Sequence, residues 1–101
     1  MIRHTVVFRL RHTRGSEAEL SFLVAARELA SIPGVQRFEL LHQVGTKNDF
    51  TFGLSMEFDG AVEYEAYNTH PSHVAFVQSR WLSEVEHFLE IDYTPVDETS
   101  A

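Results

Sequence analysis

The chain has 101 residues and a formal net charge of −7, from 15 acids against 8 bases, and it contains no cysteine. One domain is expected at this length, and the acidic balance argues against binding to a nucleic-acid backbone. The lack of cysteine excludes disulfides and thiolate chemistry, while 44% hydrophobic and 23% charged residues are typical of a globular protein.

The apolar stretches near the start are short, the longest being residues 6–8. Such a stretch cannot form a signal sequence or a membrane span. We therefore expect a cytoplasmic protein that has neither a membrane nor a nucleic acid as its partner.

The first elements in chain order are a strand and a helix. Residues 2–10 alternate, with His4 among apolar residues on one face, which predicts a strand with one buried face. Ser16 and Glu19 have the spacing of a capping box, and apolar residues follow at helical intervals. Pro33 and Gly34 then end this helix.

Two further strands are predicted over residues 35–44 and 50–58, separated by the turn GTKND. Asp59 is expected to cap a short helix that ends near Tyr67, and Pro71 suits the first turn of the next helix. A last strand spans about 87–93.

The order β-α-β-β-α-β predicts an α+β, ferredoxin-like fold, with a four-stranded antiparallel sheet and its helices on one face. We assign residues 1–95 to the domain and residues 96–101 to a polar C-terminal tail. Helices on one face leave the other face of the sheet uncovered.

The last strand is apolar on both faces, with Phe88 on one and Leu89 and Ile91 on the other. A strand of this kind is usually buried on both faces. We therefore expect a homodimer packed through its sheets, whereas the alternative is a monomer whose sheet faces water.

The segment YNTHPSH, residues 67–73, gathers proton-handling side chains at a helix junction. If Pro71 opens a helix, the free N–H groups of the first turn disfavour an imidazolium at His73, which would then be a neutral proton acceptor near pH 7. The Tyr67 hydroxyl could polarise a carbonyl or hold an enolate oxygen. The structural alternative is that both side chains only satisfy local backbone groups.

A metal site is the weaker interpretation of this segment. His70 and His73 are three residues apart, but Pro71 separates them and no third ligand is near in sequence, so we expect no metal. His4, which is polar on a predicted buried face, is either a core histidine with a partner or part of a pocket beneath the helices.

Four stretches, IRHTVVFRLR, IPGV, YNTHPSHVAF and EIDYTP, resemble the stress-responsive A/B barrel (Dabb) family. The resemblance covers nearly the whole chain and implies a ferredoxin-like protomer that forms a dimeric α+β barrel. Many members have no known activity, but the Y-x-x-H-P-x-H segment is similar to that of a plant polyketide cyclase.

This similarity implies that Tyr67 and His73 are a catalytic pair in an aldol-type condensation without a cofactor. His73 would be the general base and acid, Tyr67 would hold the substrate carbonyl oxygen, and Asp92 would orient His73. The expected substrate-binding residues, which include aromatic side chains that could wall a cavity, are His4, Val6, Phe8, Phe22, Phe52, Leu54, His70, Phe76, Trp81 and Asp92.

The expected function is therefore a cofactor-independent cyclase or lyase acting on a polyketide-like or other β-carbonyl compound. The alternative is a non-enzymatic dimer that binds a small apolar ligand or acts in a stress response. A third candidate, which rests on fold analogy alone, is a monooxygenase. Phe52 stands where the similar cyclase has a pocket histidine, so the resemblance implies no particular substrate.

Overall fold

A computed structural model of the protein describes residues 1–97, so the last four residues of the predicted tail lie outside the described residues. It confirms the ferredoxin-like order and the single antiparallel sheet, whose strands are arranged β2-β3-β1-β4. The strands are β1 (Ile2–Leu10), β2 (Gln36–His42), β3 (Phe52–Phe58) and β4 (Val85–Tyr93).

The first helix, α1 (Glu17–Arg27), begins as the capping box predicts and continues into a 3₁₀ turn over Glu28–Ser31. The Ser16 hydroxyl accepts a hydrogen bond from the Glu19 backbone N–H at 3.2 Å. The Glu19 carboxylate in turn accepts from the Gly15 N–H at 3.0 Å, so it satisfies a donor just before the helix.

The second helix, α2 (Ala61–Thr69), begins after Gly60 rather than after the predicted cap Asp59, whose carboxylate accepts from the Gln36 side chain instead. Pro71 opens α3 (Pro71–Phe76), which continues through a π-helical turn over Val77–Trp81 and a short α-helical turn over Leu82–Glu84. Within residues 1–97, no helix is both long and apolar enough to cross a bilayer.

The core lies between the sheet and the helices, as the alternation in β1 predicts. His4, Val6, Phe8 and Leu10 are all buried, whereas the intervening residues of β1 are at least partly exposed. The largest fully buried side chains come from both layers: Phe8, Phe22, Phe52, Met56, Phe58 and Tyr67. This packing fixes which face of β1 looks toward the helices.

The edge strand β4 is mostly exposed on both faces in the single chain. Its pairing with β1 places Asp92 opposite His4 and Glu90 opposite Val6, on the side of the helices. Leu89 lies opposite Val7 on the outer side, which no helix covers. The two apolar faces of β4 are therefore not buried within one protomer.

Candidate functional site

A cavity of about 250 Å³ lies between the helices and the centre of the sheet. We call it the central cavity, and its walls come from β1, β3 and β4 on one side and from α2, α3 and the turns after α1 and α3 on the other. Its lining residues are His4, Val6, Leu29, Leu54, Tyr67, Asn68, His73, Phe76, Val77, Trp81, Leu82, Phe88 and Glu90.

Tyr67 and His73 meet in this cavity because the Pro71 junction turns the chain between α2 and α3. Their ring centroids are 4.5 Å apart, and Tyr67 is only 2% exposed. Within residues 1–97 the Tyr67 hydroxyl has no hydrogen-bond partner, but its oxygen is not completely enclosed by protein atoms. Burial raises the pKa of Tyr67, so the phenol keeps its proton and can donate it to a ligand.

A backbone carbonyl fixes the orientation of the His73 ring. Its Nδ1 lies 3.0 Å from the Asn68 carbonyl oxygen, which only accepts, so Nδ1 must carry a proton. In neutral His73 the lone pair therefore stands on Nε2. Burial is the main cause that lowers the pKa of His73, although the hydrogen bond to Asn68 opposes it. The sequence also predicted that His73 is neutral near pH 7, but it did so from the position at the helix start, whereas burial is the main cause in the structure.

His4 is the second histidine of the cavity and has a carboxylate behind it. Its Nδ1 is 2.6 Å from Asp92 Oδ1 and 2.8 Å from the Tyr64 hydroxyl, which itself donates to Asp92 Oδ2 at 2.8 Å. Since Nδ1 donates to Asp92, Nε2 is the atom left for the cavity. The expectation that Asp92 orients His73 is therefore corrected: register pairs Asp92 with His4 across β1 and β4.

Seven of the twelve predicted site residues line the central cavity, and five lie elsewhere. Those that line the central cavity are His4, Val6, Leu54, Tyr67, His73, Phe76 and Trp81. Those that do not are Phe8, Phe22, Phe52, His70 and Asp92.

The five misplaced residues have other structural surroundings. Phe8 packs in the core against Phe22 and Phe52, at centroid separations of 5.8 and 5.7 Å. The His70 ring accepts from the Ser72 N–H at the start of α3 and borders a separate groove between α1 and α3. Asp92 lies behind His4.

Six lining residues were not predicted: Leu29, Asn68, Val77, Leu82, Phe88 and Glu90. Three missed residues bear on the polar groups of the site, namely Asn68, Glu90 and Tyr64, which bonds to His4 from behind the cavity. Tyr64 precedes Tyr67 by three positions, which places both on one face of α2 and could have indicated it. Glu90 shares a strand face with Asp92 by alternation. Asn68 acts through its backbone carbonyl, which no side-chain pattern reveals.

The two histidines of the YNTHPSH segment do not converge on one point, because His70 bonds to the Ser72 N–H and His73 to the Asn68 carbonyl. Across residues 1–97, no group of three or more histidine, aspartate or glutamate side chains is placed to hold a metal ion.

Comparisons with known proteins agree with this architecture. A Dabb protein of ferredoxin-like fold from Mesorhizobium loti is 55% identical, with a TM-score of 0.92 over 94% of this chain and 96% of that one. A dimeric protein of unknown function from Bacteroides fragilis is 25% identical, with a TM-score of 0.71 over 93% and 95%. The hydroxynitrile lyase from Passiflora edulis shares the fold at 15% identity, with a TM-score of 0.79 over 91% and 90%.

No curated protein matches the sequence. The family model of the stress responsive A/B barrel domain, however, matches residues 2–95. The chain therefore belongs to the stress-responsive A/B barrel (Dabb) family.

Proposed function

We propose that the protein is a cofactor-independent acid–base enzyme, of the cyclase or lyase type, that acts at the carbon next to a substrate carbonyl. One observation carries this proposal: the imidazole of His73 and the unpaired hydroxyl of Tyr67 lie in the same, largely apolar cavity. The Asn68 carbonyl accepts a hydrogen bond from His73 Nδ1 and so leaves Nε2 as the basic nitrogen. A base and a hydrogen-bond donor in that arrangement suit enolate chemistry. The Passiflora edulis lyase offers a parallel through its fold.

The reaction begins when His73 Nε2 takes a proton from the α-carbon. The electron pair of the broken C–H bond forms an enolate, whose oxygen accepts a hydrogen bond from Tyr67. In a cyclase, the enolate carbon then forms a C–C bond to a second carbonyl carbon of the same molecule, and the imidazolium protonates the new alkoxide. In a lyase, the same steps run in the opposite direction.

The test is the exchange of α-protons for deuterium in D₂O, followed by proton NMR with a panel of ketones that fit about 250 Å³. We expect exchange above the buffer rate. Tyr67→Phe should slow it by about 10²-fold, because one donor to the developing oxyanion is lost. The matched control is Tyr93→Phe, which removes a hydroxyl on the outer face of β4, outside the central cavity, and keeps the ring. No exchange by the wild type, or equal rates in the two variants, would refute the proposal.

The pH dependence of this exchange should follow His73. Because burial lowers its pKa below the ordinary 6.5, the midpoint of the decline in rate should lie below pH 6.5. The unfolded chain binds this proton more readily, so the stabilisation linked to His73 is complete above about pH 6.5 and lost as the pH falls through the folded-state pKa. A rate–pH profile measures this, and a midpoint at or above pH 6.5 contradicts it.

The second candidate is a dimer that binds a small apolar ligand without reaction. The mostly apolar lining of the central cavity favours it, since such pockets bind ligands whether or not chemistry follows. Ligand binding by the wild type together with an exchange rate equal to that of buffer would support this candidate over the enzyme.

We further infer a homodimer that forms through the outer face of the sheet, with residues 1–95 as the domain. The apolar residues on that face are Val7, Leu41, Leu89, Ile91 and Tyr93. Val7 pairs with Leu89, Gly53 lies between Val7 and Leu41, and Ile91 and Tyr93 follow Leu89 at alternate positions of β4. A patch of this kind commonly marks a protein–protein contact. The Bacteroides fragilis relative is dimeric, which supports a homodimer.

Replacing Leu89 by lysine should convert the dimer to monomer at about 10 µM, because a charge without a partner would be buried in the contact. Leu20→Lys on α1 is the matched control, since Leu20 is 62% exposed and Leu89 is 50% exposed. Sedimentation equilibrium measures both masses. A Leu89→Lys protein that stays dimeric would show that another surface forms the contact.

A further inference from the structure

The charges in the central cavity are unevenly distributed. Its ionisable side chains are His4, Tyr67, His73 and Glu90, and no lysine or arginine from the described part of the chain belongs to the lining. A ligand with a carboxylate or a phosphate therefore meets no permanent cation there. The single full charge on the wall is the Glu90 carboxylate.

Glu90 stands at the mouth of the cavity and faces inward. It lies opposite Val6 in the pairing of β1 and β4, its Oε1 is 3.9 Å from His4 Nδ1, and its side chain is 54% exposed. The neighbouring lining residues Leu82 and Phe88 are exposed as well, whereas Tyr67 and His4 are buried. A ligand that enters beside the exposed Leu82 and Phe88 passes close to Glu90.

The charge of Glu90 is not neutralised as those of three other glutamates are. Glu57, Glu84 and Glu86 each pair with an arginine. Among residues 1–97, no lysine or arginine nitrogen lies within 4 Å of the Glu90 carboxylate, and the one basic group at that distance is His4 Nδ1 at 3.9 Å. The Asp92 carboxylate behind His4 accepts hydrogen bonds from His4 and from Tyr64. The effect of Glu90 reaches the cavity floor, since its charge contributes to the raised pKa of Tyr67.

We infer that Glu90 determines the charge selectivity of the central cavity, which admits neutral or cationic molecules with an apolar body and disfavours carboxylates and phosphates. This inference rests on the proposed function in one respect, which is that the central cavity is the substrate site. It defines the substrate class as an uncharged or amine-bearing carbonyl compound. The apolar body would lie near Leu82 and Phe88, with the carbonyl toward Tyr67.

Three ligands of nearly equal shape test this selectivity: cyclohexanecarboxylate, cyclohexylmethanol and the cyclohexylmethylammonium ion. Trp81 is the single tryptophan of the chain and lines the cavity, so its fluorescence reports binding, and these ligands do not absorb where it does. The variants are Glu90→Gln, which removes the charge at nearly constant size, and Glu65→Gln, which makes the same change at an exposed position of α2 outside the cavity.

The wild type should bind the ammonium ion and the alcohol more tightly than the carboxylate. Glu90→Gln should strengthen carboxylate binding and weaken ammonium binding, each by roughly three- to tenfold, because the half-exposed charge acts through a partly screened field. Alcohol binding should not change, and Glu65→Gln should match the wild type for all three ligands.

Two results would overturn the inference. Equal changes for all three ligands in Glu90→Gln would mean that the residue acts by shape, and the absence of binding of every ligand at 10 mM would mean that the cavity is not the site. The proposed function fails separately, when α-proton exchange is absent although the charge selectivity is observed.

Discussion

The variant His73→Gln should exchange ketone α-protons about 10²- to 10⁴-fold more slowly than the wild type, which is the usual contribution of a positioned general base. Glutamine keeps a donor that can reach the Asn68 carbonyl, which His73 Nδ1 contacts at 3.0 Å, so the local fold should persist. It offers no nitrogen lone pair basic enough to take the proton. Proton NMR of the ketone in D₂O measures the rate.

The matched control for this variant is His87→Gln, at an exposed histidine of β4 that does not line the central cavity. It should exchange at the wild-type rate. A His73→Gln protein that is folded and as active as His87→Gln would remove His73 from the mechanism and leave the cavity as a binding site.

Replacing Phe8 by alanine should lower the free energy of unfolding by about 3–5 kcal/mol. Phe8 is fully buried, and its ring lies 5.1–5.8 Å from those of Trp81, Phe52 and Phe22, so the deletion leaves a void that rigid neighbours cannot fill. Urea denaturation followed by circular dichroism measures the loss.

The control for Phe8 is its cross-strand neighbour Phe88, which is 52% exposed. Phe88→Ala should cost about 1 kcal/mol, because half of the Phe88 side chain stays in water in the folded chain and its removal leaves no enclosed void. Similar losses at the two positions would contradict the complete burial of Phe8 and the half-exposure of Phe88 on the same face of the sheet.

Local rules of the chain made much of this fold predictable. Alternation placed His4 on the covered face of β1, the capping box located the start of α1 at Ser16, and Pro71 located the start of α3. Each of these features depends on residues only a few positions apart, so tertiary packing had little to override.

The partners within the site could not be predicted in the same way. Asp92 is 88 positions from His4, and only the register of two distant strands decides that it bonds to His4 and not to His73. Whether an aromatic residue lines a cavity or fills the core depends on helix placement, which is why Phe52 was wrongly assigned to the pocket. The α2–α3 junction, by contrast, was local, and Tyr67 and His73 do meet.

The nitrogen-15 NMR spectrum of histidine-labelled protein at pH 7 tests most directly whether His73 is a neutral base that faces a ligand. We expect a protonated Nδ1 and an unprotonated Nε2 on His73, with an Nε2 signal that shifts when a ketone from the exchanging panel is added. A proton on Nε2, or an Nε2 signal that the ketone leaves unchanged, would contradict this expectation.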